Sequence, residues 1–149
     1  MARNSAAYDE DFYAWTQEQA RLLRSGEVRS ADVENVAEEI ESMGRSDKRE
    51  LECRLAVLLA HLLKWQFQPA QRSASWQHTM VERRRRIARL LKESPSLAGW
   101  PDTALAEVYA DAREDAALEA GLAVETLPAT CPYAIDQILD RRFLPEATA

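Results

Sequence analysis

Near the middle of the chain, a long run of residues is apolar on almost every side when it is read as a helix. The run extends from Asp47 to Gln66, and Pro69, which cannot continue a helix, follows it. A helix that is apolar around most of its circumference is usually buried among other helices. The face with the strongest pattern carries Leu51, Leu55, Leu58, Leu59, Leu62 and Trp65.

The rest of the chain shows the same helical period, without repeats or a linker. Only four glycines and six prolines occur in 149 residues, which argues against a β-rich fold with its many turns. The sequence therefore predicts one all-α domain, residues 1–149, in which about five to seven helices form a compact bundle around the buried third helix. The other predicted helices are Asp9–Arg24, a second helix from the cap Ser30 to Met43 that Gly44 ends or kinks, a fourth from Ser73 or Ser75 to Glu93, Pro101–Ala120 and Tyr133–Asp140.

The formal net charge of −6 is unevenly distributed along the chain. Residues 1–50 carry 12 acidic and 7 basic side chains, residues 51–100 carry 3 and 9, and residues 101–149 carry 10 and 3. This pattern favours acidic outer helices that pair with a basic middle helix inside the protein. The alternative is a basic surface that binds nucleic acid, which the acidic total charge makes less favoured.

The cysteines and the apolar runs indicate the compartment. Cys53 and Cys131 are the only cysteines and form no CxxC motif, so we expect neither a zinc site nor a disulfide framework. The segment Met1–Ala7 is too short and polar for a signal peptide. The longest apolar run, Leu55–Leu63, is broken by His61 and is too short to span a bilayer. We therefore expect a reduced, cytoplasmic protein without a membrane partner.

Several strings, taken together and in this order, carry a family resemblance: YDEDFYAW, ENVAEEIESMGR, AHLLKWQFQP, RSASW, SPSL and CPYAIDQIL. They resemble the domain-of-unknown-function 29 family, a group of bacterial helical proteins, over roughly residues 8–145. The resemblance implies an all-α fold. It implies no activity, and no catalytic residue can be carried over from it.

Arg54 and His61 lie seven positions apart, near one face of the predicted third helix. A similar arginine–histidine spacing is typical of the RNA-cleaving HEPN (higher eukaryotes and prokaryotes nucleotide-binding) domains, which are also helical bundles. A HEPN-like ribonuclease would use the histidine as an acid or base and the arginine to hold the phosphate. However, Leu55 stands where those domains often have a polar residue. The favoured alternative is a histidine at the edge of the core and an arginine paired with an acid.

Glu34, Glu38 and Glu41 share one side of the predicted second helix. Carboxylates on such a stripe bind Mg²⁺ in helical nucleotide pyrophosphohydrolases, so a metal-dependent phosphohydrolase is a further alternative. The spacing departs from the EExxE pattern of those enzymes. We therefore expect no metal and no cofactor, and glutamates that are solvated or paired, for example Glu41 with Arg45.

The segment Lys64–Thr79 is rich in aromatic and polar residues at the predicted corner between the third and fourth helices. Either the two indoles simply pack there, or the corner is a binding site. An arginine ahead of a serine-rich helix N-terminus favours an anion, because free N–H groups and the positive end of the dipole meet there. The predicted lining is Arg72, Ser73, Ser75, Trp76 and Trp65, with His61 nearby.

Two further patterns have a structural and a functional interpretation. In the run ERRRR, Arg83 falls in line with Met80 and Ile87, which predicts a guanidinium near the core that pairs with an acid. The predicted fifth helix carries a stripe of mostly small residues that suits close helix packing or a homodimer. That stripe consists of Leu105, Val108, Tyr109, Ala112 and Ala116.

The function that these patterns favour is a non-catalytic interaction or ligand-binding module. Its partner would be another protein, or an anionic ligand at the corner around Arg72. The ribonuclease with Arg54 and His61 and the phosphohydrolase with the second-helix glutamates are the alternatives.

Overall fold

The computed structural model describes residues 7–148, which form helices, turns and loops and contain no strand. The predicted all-α class is therefore confirmed. Residues 7–10 make a helical turn, and five α-helices follow it, in agreement with the predicted number. The five are α1 (Phe12–Arg24), α2 (Val33–Phe67), α3 (Ala74–Glu93), α4 (Trp100–Ala120) and α5 (Ile135–Leu139).

The second helix, α2, runs for 35 residues without interruption, so the predicted helix end at Gly44 is wrong. Among the described residues, positive φ angles occur only at Gly26 and Gly121, so Gly44 keeps right-handed geometry. A single glycine costs a helix interior about 1 kcal/mol, which the neighbouring helical residues outweigh. The predicted second and third helices are therefore two halves of one helix.

The described chain divides into two compact units, residues 7–46 and residues 47–148. In the first unit, α1 buries Trp15 and Leu22. The indole Nε1 of Trp15 donates to Asp32 Oδ2 at 3.2 Å, and the backbone amide of Asp32 donates to Gln19 Oε1 at 2.6 Å. These bonds fix the buried face of α1 to the residues that lead into α2. The prediction of a single folding domain stays a prediction.

The second unit is built on the second half of α2, and the predicted burial of this segment is confirmed. Met80 and Ile87 of α3 and Ala112 and Ala116 of α4 belong to the same core. Each of these helices therefore contributes one face to a shared apolar interior. The fully buried leucines of α2 are Leu51, Leu55, Leu58, Leu59, Leu62 and Leu63.

The small-residue face of α4 is used inside the second unit. Val108, Tyr109, Ala112 and Ala116 are buried in its core. The Tyr109 hydroxyl also donates to the carbonyl of Pro128 at 2.6 Å, which ties α4 to the loop that follows it. This face is therefore occupied within the unit, and the homodimer stays a prediction.

The third helix, α3, places Arg84 rather than Arg83 in the core, so the predicted position of Arg83 is wrong. Arg84 is 3% exposed, and its spacing of four residues from Met80 and three from Ile87 puts the three side chains on one helix face. Arg83 pairs with an acid as predicted, and that acid is Glu82 of the same helix. Arg84 instead bonds to the main chain. Its Nε donates to the main-chain carbonyl of Ile138 at 2.7 Å.

Replacing Gly44 with alanine is expected to stabilise the protein by about 0.5–1 kcal/mol, because alanine is the better helix former. A Cβ at Gly44 meets nothing within 4 Å. Urea denaturation of the variant and the wild type measures the difference. The control is Gly121→Ala: Gly121 ends α4 at a φ of 68°, where an alanine costs about 1–2 kcal/mol. A similar loss in both variants would contradict a helix that continues through Gly44.

Candidate functional site

The carboxylate of Glu82 forms ion pairs with three arginines. Arg54 approaches it at 3.6 Å and Arg86 at 3.3 Å, and Arg83 bonds to it directly. Burial alone would raise the pKa of Glu82, but the hydrogen bond from Arg83 and the charges of the three arginines outweigh burial and hold this pKa below its ordinary value. Arg54 Nε also donates to Glu50 at 2.9 Å. Arg83 and Arg86 of the basic run on α3 and the catalytic candidate Arg54 are thus engaged in ion pairs within the protein.

The imidazole of His61 is half-buried at the edge of the core. Its Nδ1 lies 2.8 Å from the carbonyl oxygen of Val57, and since a carbonyl can only accept, Nδ1 carries the proton. The ring meets the ring of Trp76 edge to face, with 6.5 Å between the centroids. Burial lowers the pKa of His61, with a further contribution from the charge of Lys64, and the Val57 bond opposes this shift only in part. His61 is therefore neutral at physiological pH.

The two catalytic candidates have separate partners. Within residues 7–148, no hydrogen bond joins Arg54 to His61; Arg54 pairs with glutamates, and His61 bonds to Val57. These contacts give the ribonuclease no support, and it stays a prediction.

The corner between α2 and α3 is held by Arg72. Its guanidinium lies over the indole of Trp65, 4.7 Å from the ring centroid, and Nε donates to the carbonyl of Trp65 at 2.9 Å. Ser73 is the N-cap of α3 and accepts from the amide of Trp76 at 3.2 Å, while the carbonyl of Ser75 accepts from a threonine hydroxyl. Arg72, Ser73 and Trp65 thus bond to one another or to the adjacent backbone, although Nη2 of Arg72 is buried without a hydrogen-bond partner among residues 7–148.

A cavity of about 310 Å³ opens beside this corner, and of the five predicted ligand-binding residues only Trp76 lines it. Its charged groups are Lys64, which is 8% exposed, and Glu119 of α4. Lys64 Nζ lies 2.5 Å from Glu119 Oε2 and 5.1 Å from the centroid of the Trp76 ring. The remaining walls are Gln68, Gln71 and Ala120.

The sequence offers a signal for one member of this pair. Lys64 is the only charged residue between Leu55 and Gln66, and a lone lysine in a helix that is apolar on all sides must find a partner. Glu119 lies 55 positions later among other acids of α4, and nothing in its surroundings singles it out.

The glutamates proposed for metal binding are partly used in ion pairs. Arg45 lies 2.7 Å from Glu38 and 3.8 Å from Glu41, so the predicted pairing of Glu41 is observed, while Glu34 is exposed. No group of three or more His, Cys, Asp or Glu side chains in residues 7–148 is arranged to hold a metal ion. The phosphohydrolase stays a prediction that these contacts do not support.

Together, the fold and the corner cavity define a small all-α protein with a shielded ion pair beside an aromatic wall. The model of a family described as a domain of unknown function, DUF29, matches residues 7–144, and the chain belongs to this family. The resemblance of the sequence motifs is thereby confirmed, and the description assigns no activity. The chain matches no curated protein and no solved structure. In the part of the chain that the structure describes, no helix is long and apolar enough to cross a membrane.

The lowered pKa of His61 predicts how stability depends on pH. Because the unfolded chain binds a proton at this residue more readily than the folded protein, the free energy of unfolding should fall as the pH drops through about 6.5, the ordinary histidine value. His61→Gln should lessen that fall, and at neutral pH it should cost about 1 kcal/mol for the lost bond to Val57.

Urea unfolding between about pH 7.5 and 5.5 measures this dependence for the wild type and the variant. His78→Gln, which replaces the exposed second histidine, is the matched control. The prediction is wrong if His61→Gln keeps the whole pH dependence of the wild type.

Proposed function

We propose that this protein is a non-catalytic ligand-binding module, and that the corner cavity takes the anionic group of a small molecule on Lys64. The observation that carries the proposal is the unequal burial of the ion pair in the cavity. The ammonium of Lys64 is shielded from water, whereas the side chain of Glu119, its only carboxylate partner within the described residues, is 54% exposed.

This inequality makes the pair exchangeable. A shielded ammonium needs a negative partner, since an uncompensated buried charge is costly. Glu119 can return to water at small cost, because much of its side chain is already hydrated. A carboxylate or phosphate of a ligand can then take its place on Lys64, so that Glu119 acts as an internal competitor.

The other walls of the cavity suit such a ligand. The side-chain amides of Gln68 and Gln71 can donate hydrogen bonds to oxygen atoms. The face of Trp76 provides a flat apolar surface beside the charge. A cavity of about 310 Å³ is at the lower end of the range for small-molecule sites.

The proposal assigns supporting roles to the remaining predicted ligand-binding residues. Arg72 and Trp65 brace the corner through their stacking, and Ser73 caps α3, so these groups set the position of Trp76. Ser75 lies in the first turn of the same helix. The anion is thus assigned to Lys64 rather than to Arg72.

The proposal also places the module in the bacterial cytoplasm. Two features support this: Cys53 and Cys131 are both free thiols, and the sequence motifs resemble those of a group of bacterial proteins.

Removal of the internal competitor provides the test. Pyrophosphate is titrated into the ¹⁵N-labelled protein at low salt, and amide shifts around the cavity report binding. Lys64→Met should abolish these shifts. Glu119→Gln should tighten binding roughly fivefold, since a half-exposed ion pair is worth about 1 kcal/mol.

The matched control is Glu114→Gln, which removes the same charge from an exposed position on the same helix. If Glu119→Gln and Glu114→Gln raise the pyrophosphate affinity equally, the increase comes from the changed net charge alone, and the proposal is wrong. Weaker binding in Glu119→Gln would contradict it as well.

A further inference from the structure

A second cavity of about 310 Å³ lies in the unit formed by residues 47–148, between α3 and the segment that follows α5. Three arginines line it: Arg84 from α3 and Arg141 and Arg142 from the later segment. The apolar part of its wall comes from Met80, Val81 and Leu144. The cavity therefore joins concentrated positive charge to an apolar surface.

Arg84 forms no ion pair with any carboxylate in residues 7–148. Its Nε donates to the Ile138 carbonyl, but its Nη2 is buried and has no hydrogen-bond partner among residues 7–148. A guanidinium keeps its charge under all ordinary conditions, and a charge removed from water is costly unless it is paired. Burial lowers the pKa of Arg84, and Asp140, which lies beyond ion-pair distance, opposes this shift only in part.

The two other arginines add charge that is not paired within residues 7–148. Neither Arg141 nor Arg142 forms an ion pair with a described carboxylate, and both are exposed. The nearby acid is Asp140, and one of its carboxylate oxygens, Oδ1, already accepts a hydrogen bond from the backbone amide of Arg142 at 2.9 Å. The cavity thus carries a local excess of positive charge in a protein whose net charge is −6.

We propose that this cavity binds a small amphiphilic oxyanion, with its carboxylate or phosphate held by Arg84, Arg141 and Arg142 and its apolar portion on Met80, Val81 and Leu144. The anion supplies the counter-charge that Arg84 lacks. Guanidinium groups suit this role, because they present several N–H donors to one oxyanion. Nη2 of Arg84 is itself enclosed, so direct contact requires a small movement of the exposed wall around Arg141, Arg142 and Leu144.

The apolar wall distinguishes this ligand from a simple ion. Val81 and Leu144 are among the exposed large apolar side chains of the second unit, and Met80 beside them is buried. Covering this surface with a hydrocarbon or aromatic group is favourable in proportion to the area removed from water. An amphiphilic anion should therefore bind more tightly than inorganic phosphate.

The test uses octanoate and inorganic phosphate as probes, each titrated into the ¹⁵N-labelled full chain at low salt. Octanoate should shift amides of α3 and of the segment after α5, and phosphate should do so with an affinity at least about fivefold weaker. Arg84 is left unchanged, because its bond to Ile138 gives it a structural role. The variant is instead Arg141→Gln with Arg142→Gln, at exposed positions, and octanoate affinity should fall about tenfold.

The matched control, Arg85→Gln with Arg89→Gln, removes the same charge from exposed positions of α3 outside the cavity. An equal loss in both double variants would overturn the proposal, as would the absence of octanoate-induced shifts in the wild type. Val81→Ser should weaken octanoate binding and leave phosphate binding unchanged. Lys64→Met, which disables the corner cavity, should keep the octanoate-induced shifts of residues 80–84 and 141–144, so the two proposals can fail separately.

Discussion

The segment Leu58–Trp65 of α2 is buried on nearly every side, and the rest of its unit is arranged around this requirement. Leu58, Leu59, Leu62 and Leu63 are fully buried, although neighbouring positions on a helix point in different directions. No single partner helix can cover them all. Apolar faces of α3 and α4 and the apolar residues around α5 therefore share one core with α2.

A polar residue in a buried helix segment needs a hydrogen-bond or ion-pair partner inside the protein. Lys64 follows the buried Leu63 directly, so its long side chain must reach a carboxylate from within the packed region, and it does so on α4. Arg84 meets the same constraint on the inner face of α3, where the carbonyl of Ile138 in α5 accepts a hydrogen bond from its Nε. Both candidate sites thus arise where a charged side chain leaves an otherwise apolar face.

The sequence predicts the helices of this protein better than it predicts which side chains meet between helices. Apolar periodicity was sufficient for the helical class and for the buried segment, and residue type limited the cap of α3 to Ser73 or Ser75, because these features depend on residues close together in the chain. It failed at Gly44, where a turn signal was outweighed by the helix on both sides, and at Arg83, since a shift of one residue rotates a side chain by about 100°. The partner of Lys64 is set by helix packing, and no local pattern encodes it.

The buried cations of the two cavities have different partners within the protein, and these partners determine how much each cation gains from a bound anion. Lys64 already has a carboxylate, so a ligand there must compete with Glu119 and gains only the difference between two ion pairs. Arg84 has a carbonyl and an unpaired nitrogen, so an anion there adds an interaction that the protein alone does not make. The arginine cavity therefore gains more from an anion, whereas occupancy of the corner cavity depends on whether Glu119 can be displaced.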